Sequence, residues 1–196
     1  KTQLYKGVKL NKQLIAQNKS LEQRVSHDAL TGLYNRPAIF DILHKQILRA
    51  KRGGLTVALI MIDIDHFKSI NDTCGHLTGD AVLCEIADRL KKSARSHEYI
   101  GRYGGEEFLI IVSPYNQEGA LKAAERFREA IACKEINASR RLVPATISLG
   151  VAVSTGEETL DEHLLLQKAD EALYLAKHRG RNRVELANMI DNKTSE

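Results

Sequence analysis

Leu55 to Ile62 forms an apolar run of strand length without a charged residue, and such a strand requires cover on both faces. The chain must therefore build helices on either side of one sheet. Pro37 suits a first helical turn, and Ile39, Phe40, Ile42, Leu43, Ile47 and Leu48 line that helix until Gly53-Gly54 ends it. After the apolar run, a polar loop is expected from Asp63 to Gly79, then a helix from Asp80 to Ala94. A short strand (Tyr99 to Tyr103), a Gly-Gly turn and a strand from Phe108 to Val112 follow. Asn116 to Lys134 reads as helix, and Val143 to Ser154 as a strand in which Ile147, Leu149, Val151 and Val153 alternate. A helix from Thr159 to Lys177 ends at Gly180, and Arg183 to Leu186 has the character of an edge strand. The order α-β-α-β-β-α-β-α-β specifies an α+β domain with one helix-flanked sheet.

The distribution of charge excludes some partners. The 196 residues carry a net charge of +4 from 29 basic and 25 acidic side chains. Six of the basic residues and one acidic residue fall within residues 1–27, leaving 23 and 24 for the remainder. The globular part is near neutral, and only 5% of residues are aromatic, so a charged, stacking nucleic-acid channel is not expected. No apolar run reaches the length of a membrane span, and the N-terminus lacks a signal-peptide core. Cys74, Cys84 and Cys133 are scattered and lack metal-ligand spacing, as expected for reduced thiols of a cytoplasmic protein. Lys1 in place of Met is the expectation for a piece of a longer protein.

Residues 1–26 are helical in pattern. With Leu4, Asn11, Asn18 and Val25 at heptad position a, Gly7, Leu14 and Leu21 occupy position d, the seam of a parallel coiled-coil dimer. A single amphipathic helix lying on its own domain fits the same pattern. Residues 27–187 form the domain, and 188–196 are expected to be a flexible tail.

Arg102-Tyr103-Gly104-Gly105-Glu106-Glu107-Phe108 carries the first chemical signal. A glycine pair permits the positive φ angles of a two-residue turn and a close backbone approach by a polyanion. Two consecutive glutamates offer oxygen ligands to divalent cations, magnesium above all, although an ordinary acidic hairpin has the same letters. Asp63 and Asp65 alternate with Ile64, so both carboxylates leave one face at the end of the apolar strand. If that strand neighbours the hairpin, Asp63 meets Glu106 and Glu107, and carboxylates so gathered repel unless cations separate them. Two aspartates capping a loop is the plainer alternative. No Gly-x-x-x-x-Gly-Lys-Ser/Thr run is present; Lys68, Lys177 and Arg181 are the basic residues placed to meet phosphates or, equally, solvent.

These motifs resemble the GGDEF-family diguanylate cyclase catalytic domain in its Glu-Glu form. The similarity rests on Asp28-Ala29-Leu30-Thr31-Gly32-Leu33-Tyr34-Asn35-Arg36, Asp63-Ile64-Asp65-His66-Phe67-Lys68 and Asn71-Asp72-Thr73-Cys74-Gly75-His76. It continues through Gly79-Asp80, Gly104 to Phe108, and Ala169-Asp170-Glu171-Ala172-Leu173-Tyr174 leading to Lys177 and Gly180-Arg181-Asn182. The resemblance implies a nucleotidyl cyclase/polymerase palm-like fold, with a ferredoxin-like βαββαβ core and a mainly antiparallel sheet. It implies condensation of two GTP to cyclic di-GMP with release of two pyrophosphates, using two Mg2+ per active site, with Mn2+ as a substitute. Asp63 and Glu106 would hold metal by their side chains and Ile64 by its carbonyl. Glu107 would serve the second metal or deprotonate the attacking 3′-hydroxyl. Gly104 and Gly105 would cradle the α-phosphate region. Asn71 and Asp80 would read guanine, with His76 and Phe67 also at the substrate, and Lys68, Lys177 and Arg181 would neutralise the triphosphate. A carboxylate accepts from guanine N1–H and the amino group, whereas adenine reverses that edge.

One departure stands out. Many members carry Arg-x-x-Asp ahead of the signature as an inhibitory product site; here the stretch is Arg95-Ser96-His97-Glu98, with Arg126 where a second arginine is expected. The added methylene disturbs a bidentate contact, so weakened product binding is expected. Because one such domain holds one GTP, the resemblance implies a homodimer, its pairing set by the N-terminal helix under an upstream sensory domain. A GTP or cyclic di-GMP receptor without activity, and a polymerase-like enzyme acting on nucleic acid, are the competing classes.

Overall fold

The computed structural model describes residues 26–138, 141–154 and 161–187; the expected coiled-coil helix, but for Ser26, and the expected C-terminal tail lie outside the described residues. Asn35 opens α1 (Arg36–Gly53) by accepting a hydrogen bond from the Ala38 amide at 3.0 Å, and Gly54 closes it in the left-handed region. The apolar run becomes β1 (Ala58–Ile64), buried at all seven positions. A connection follows into the hairpin β2 (Glu98–Arg102) and β3 (Glu107–Val112), then α4 (Gln117–Ala132), β6 (Ile147–Val153), α5 (Glu162–His178) and β7 (Val184–Leu186). The sheet order is β2-β3-β1-β6-β7, antiparallel except for the β6–β7 pair.

β1 lies at the centre because both faces are apolar. Ile60, Ile62 and Ile64 belong to one core layer, and Leu59 and Met61 to the other, beneath α1 and α5. Burying one such side chain stabilises the fold by roughly 1.5–3 kcal/mol. On β6, a Cβ at Gly150 would stand 2.1 Å from the Ala169 carbonyl and 2.2 Å from the Leu173 amide. The bare Gly150 lets α5 lie directly on the sheet, which brings the C-terminal end of α5 over the end of β1.

Three expectations need correction. The segment from Asp63 to Gly79 is not a loop: it contains α2 (Phe67–Cys74) and the first turn of α3 (His76–Ser93). Phe67 and Ile70 give α2 one narrow apolar edge, too short a pattern to announce a helix without its tertiary contacts. Val143 does not begin β6; it ends a two-stranded ribbon of β4 (Ile136–Ala138) and β5 (Arg141–Val143). Neither Gly104 nor Gly105 adopts positive φ, and the hairpin connection is longer than two residues.

Candidate active site

The β1–β3 register places Asp63 directly opposite Glu107, and the Ile64 amide donates to the Glu106 carbonyl at 3.3 Å. Asp63 is 7% exposed, and its carboxylate receives Lys177 Nζ of α5 at 2.7 Å. Burial raises the Asp63 carboxyl above its usual range, against the hydrogen bond and charge of Lys177. The charge of Asp65 adds to that rise and the charge of Arg181 opposes it. Glu106 and Glu107 are raised in the same direction, first by desolvation and then by the negative charge of Asp63. Among the described residues neither glutamate side chain accepts a hydrogen bond or forms an ion pair. Three carboxylates therefore share this strand end with one seated lysine.

The glycine pair works through space rather than through φ. A Cβ on Gly104 would lie 2.6 Å from Glu107 Oε2, whereas Gly105 has open space above it. The Glu107 carbonyl accepts from the amides of Tyr103 and Gly104 at 2.8 and 3.3 Å, closing the turn. Arg102 then clamps it from behind, donating to the Gly105 carbonyl from Nη2 at 2.7 Å and pairing with Asp28 at 3.2 Å. Asp28 pays a desolvation penalty, yet hydrogen bonds from Thr31 and the charge of Arg102 hold its carboxyl below the usual range. Arg102 and Asp28 are thus supports that the sequence showed only as motif letters. Arg36, its guanidinium 4.6 Å from the Tyr103 ring centroid, and Asp170 also bear electrostatically on Glu107.

Asp65 shares the face of Asp63, as the alternation required, but its oxygens are committed. It accepts from Thr146 Oγ1 and Ser148 Oγ at 2.6 Å and from the Asn182 amide at 3.0 Å. Asp65 ties β1 to β6 and to the turn that carries Arg181, whose φ is 61°. No local pattern announces partners so far along the chain.

Asn71 lies on α2 and Asp80 on α3, and the Asn71 amide rests against Gly79, one residue before Asp80. Asp80, His76 and Lys68 are exposed, Asn71 is half-buried, and Phe67 is buried in the core beneath them. These residues border an open face. A cleft of about 480 Å³ lies behind α2, lined by residues that include Asp65, Ser69, Thr73 and Pro144, and none of Asp63, Glu106 and Glu107 lines it. Three partly desolvated carboxylates beside one paired lysine make the strand end, rather than this cleft, the candidate site.

Arg95, Glu98 and Arg126 do come together, at the opposite end of the hairpin. The Glu98 side chain is fully buried, takes Arg126 Nη2 at 2.6 Å on both oxygens and accepts the Arg95 amide at 2.8 Å. The Arg95 guanidinium turns instead to the Tyr115 hydroxyl at 3.0 Å.

Among the described residues no three His, Cys, Asp or Glu side chains form a cluster that could hold a metal by themselves. Magnesium does not need one, since it is held by one or two carboxylates together with water and substrate phosphates. Asp63, Glu106 and Glu107 supply hard oxygen donors of that kind, and their raised pKa values are what a cation would relieve.

A mainly antiparallel palm-like sheet with opposed carboxylates at one end of its central strand defines the nucleotidyl cyclase class. The chain belongs to the diguanylate cyclase GGDEF domain family, whose model matches residues 25–183. It is 40% identical over 163 residues to diguanylate cyclase DosC of Escherichia coli K12, covering 83% of this chain and 35% of DosC. Identity to the response regulator PleD of Caulobacter vibrioides is 44% over 167 residues, covering 84% of this chain and 36% of PleD. The chain thus spans about a third of the length of these relatives. Among solved structures, the coiled coil and GGDEF domain of DgcB from Caulobacter crescentus in complex with c-di-GMP superposes with a TM-score of 0.84 at 31% identity, covering 95% of this chain and 98% of that one.

Proposed function

We propose that this chain is the catalytic domain of a cytoplasmic diguanylate cyclase that condenses two GTP into cyclic di-GMP. The observation that carries the proposal is Asp63 facing Glu107 across the β1–β3 ladder, desolvated and met by Lys177, within the family signature. In each half-reaction a 3′-hydroxyl oxygen bonds to the α-phosphorus of the second nucleotide. The bond from that phosphorus to the bridging oxygen breaks, pyrophosphate leaves, and the hydroxyl proton passes to a carboxylate. Two Mg2+ per site, held by Asp63, Glu106, Glu107 and the Ile64 carbonyl, would supply the positive charge that offsets negative charge on the phosphate oxygens and the departing pyrophosphate, with Mn2+ as a substitute.

The chain's own residues bind and orient the nucleotide. Asn71 and Asp80, with His76 alongside, meet the guanine edge, and buried Phe67 shapes the floor beneath them. Lys68, Lys177 and Arg181 neutralise the triphosphate, Lys177 exchanging its contact with Asp63 for phosphate oxygens. Gly105, with open space above it, leaves the backbone bare for the α-phosphate, and Gly104 makes room for the Glu107 carboxylate beside it. One domain holds one nucleotide, so two copies must face each other. The heptads of residues 1–26 and the coiled coil present in the DgcB structure support a homodimer set by that segment. Incubation with GTP and magnesium, followed by chromatographic separation of nucleotides, tests the proposal. Cyclic di-GMP and pyrophosphate are expected, with a rate per protomer that falls on dilution. Unchanged GTP at high protein concentration points to a receptor.

A further inference from the structure

We propose that Gly79 is a positioning residue for base recognition: it is the seat on which the Asn71 amide rests. The inference depends on the reading of Asn71 as a guanine contact. Among the described residues the Asn71 side chain makes no hydrogen bond, so its donors and acceptor are unspent, and no polar partner fixes its rotamer. Packing fixes it instead. A Cβ built on Gly79 would stand 1.9 Å from Asn71 Oδ1, 2.9 Å from Asn71 Cγ and 3.3 Å from Phe67 Cζ. The amide therefore occupies the space that a side chain at Gly79 would take, in the first turn of α3 and one residue before Asp80. That arrangement leaves the whole amide for a ligand while restricting where it can go.

Backbone conformation gives no reason for glycine here. Gly79 lies within α3, outside the left-handed region, and is buried. Glycine inside a helix is less stable than alanine. Alanine would improve the helix in isolation, and what it would displace is the Asn71 amide. Gly79 thus gives up helix stability to hold a reader of the base.

A double-mutant cycle tests this, read as affinity for the α,β-methylene analogue of GTP, which cannot be condensed, against its adenine counterpart. Asn71→Ala is expected to lower the guanine-over-adenine preference roughly tenfold, the effect of one lost hydrogen bond to a base. Gly79→Ala is expected to lower it by a similar factor while circular dichroism stays unchanged. In the Asn71→Ala background, Gly79→Ala should have no further effect on preference, because the obstructing amide is gone. If Asn71→Ala weakens the preference while Gly79→Ala does not, or if the two factors multiply, the seat is refuted and the guanine reading stands. If Asn71→Ala changes nothing, the guanine reading of Asn71 itself falls.

Discussion

The two ends of the β2–β3 hairpin hold the same side chain in opposite states. At one end Glu98 is buried and satisfied, with both oxygens on Arg126 and a backbone amide donating from Arg95. At the other, Glu106 and Glu107 are partly desolvated, Glu107 lies opposite Asp63, and neither glutamate receives a hydrogen bond or ion pair among the described residues. A buried carboxylate with its donors in place is part of the structure; removing its partner strands a charge. Carboxylates gathered without donors repel one another unless cations separate them. Charge alone does not mark a site, and the difference lies in whether the protein itself has answered that charge.

The largest contrast is expected in turnover. Glu106→Gln or Glu107→Gln should lower cyclic di-GMP formation on the order of 10³-fold, with the fold intact by circular dichroism. At the far end the effect should appear in stability instead: Arg126→Met leaves Glu98 without its cation and should cost about 3 kcal/mol in denaturant unfolding. A smaller effect of opposite sign distinguishes the signature end. Burial and the Asp63 charge hold Glu106 and Glu107 above their ordinary value of 4.5, so the penalty for ionising them grows as pH rises through that range and is absent below it. In metal-free protein near neutral pH, Glu107→Gln should therefore raise the unfolding midpoint by roughly 2 °C, allowing for solvent screening, and the gain should vanish below the ordinary carboxylate range. The smallest effect concerns product binding. Because Glu98 and Arg126 are committed to each other, calorimetry should find weak cyclic di-GMP affinity away from the active site, changed less than about threefold by Arg95→Ala. Tight binding lost in that variant would show that Arg95 serves a product site after all.

One end of this contrast was legible in the sequence, and the remainder was not for identifiable reasons. The Leu55–Ile62 run announced a central strand because its apolar character is local. The facing of Asp63 and the glutamates followed once β1 was set beside the hairpin. The short helix α2 escaped because Lys68, Asn71 and Asp72 obscure an apolar edge made only by Phe67 and Ile70. The glycine pair misled, because neither glycine takes a left-handed conformation, and the space over Gly104 is filled by the Glu107 carboxylate. The engagement of Asp65 with Thr146 and Ser148, and of Glu98 with Arg126, joins residues far apart in the chain. Such pairs are decided by the packed fold.

The most direct test sets the two ends against each other in one assay. Cyclic di-GMP formation from GTP and magnesium is measured for Glu107→Gln and for Glu98→Gln, at a temperature where both are folded. Glu107→Gln should be nearly silent, while Glu98→Gln should be less stable and retain most of its turnover. Equal loss in both, or full activity of Glu107→Gln, would contradict this expectation.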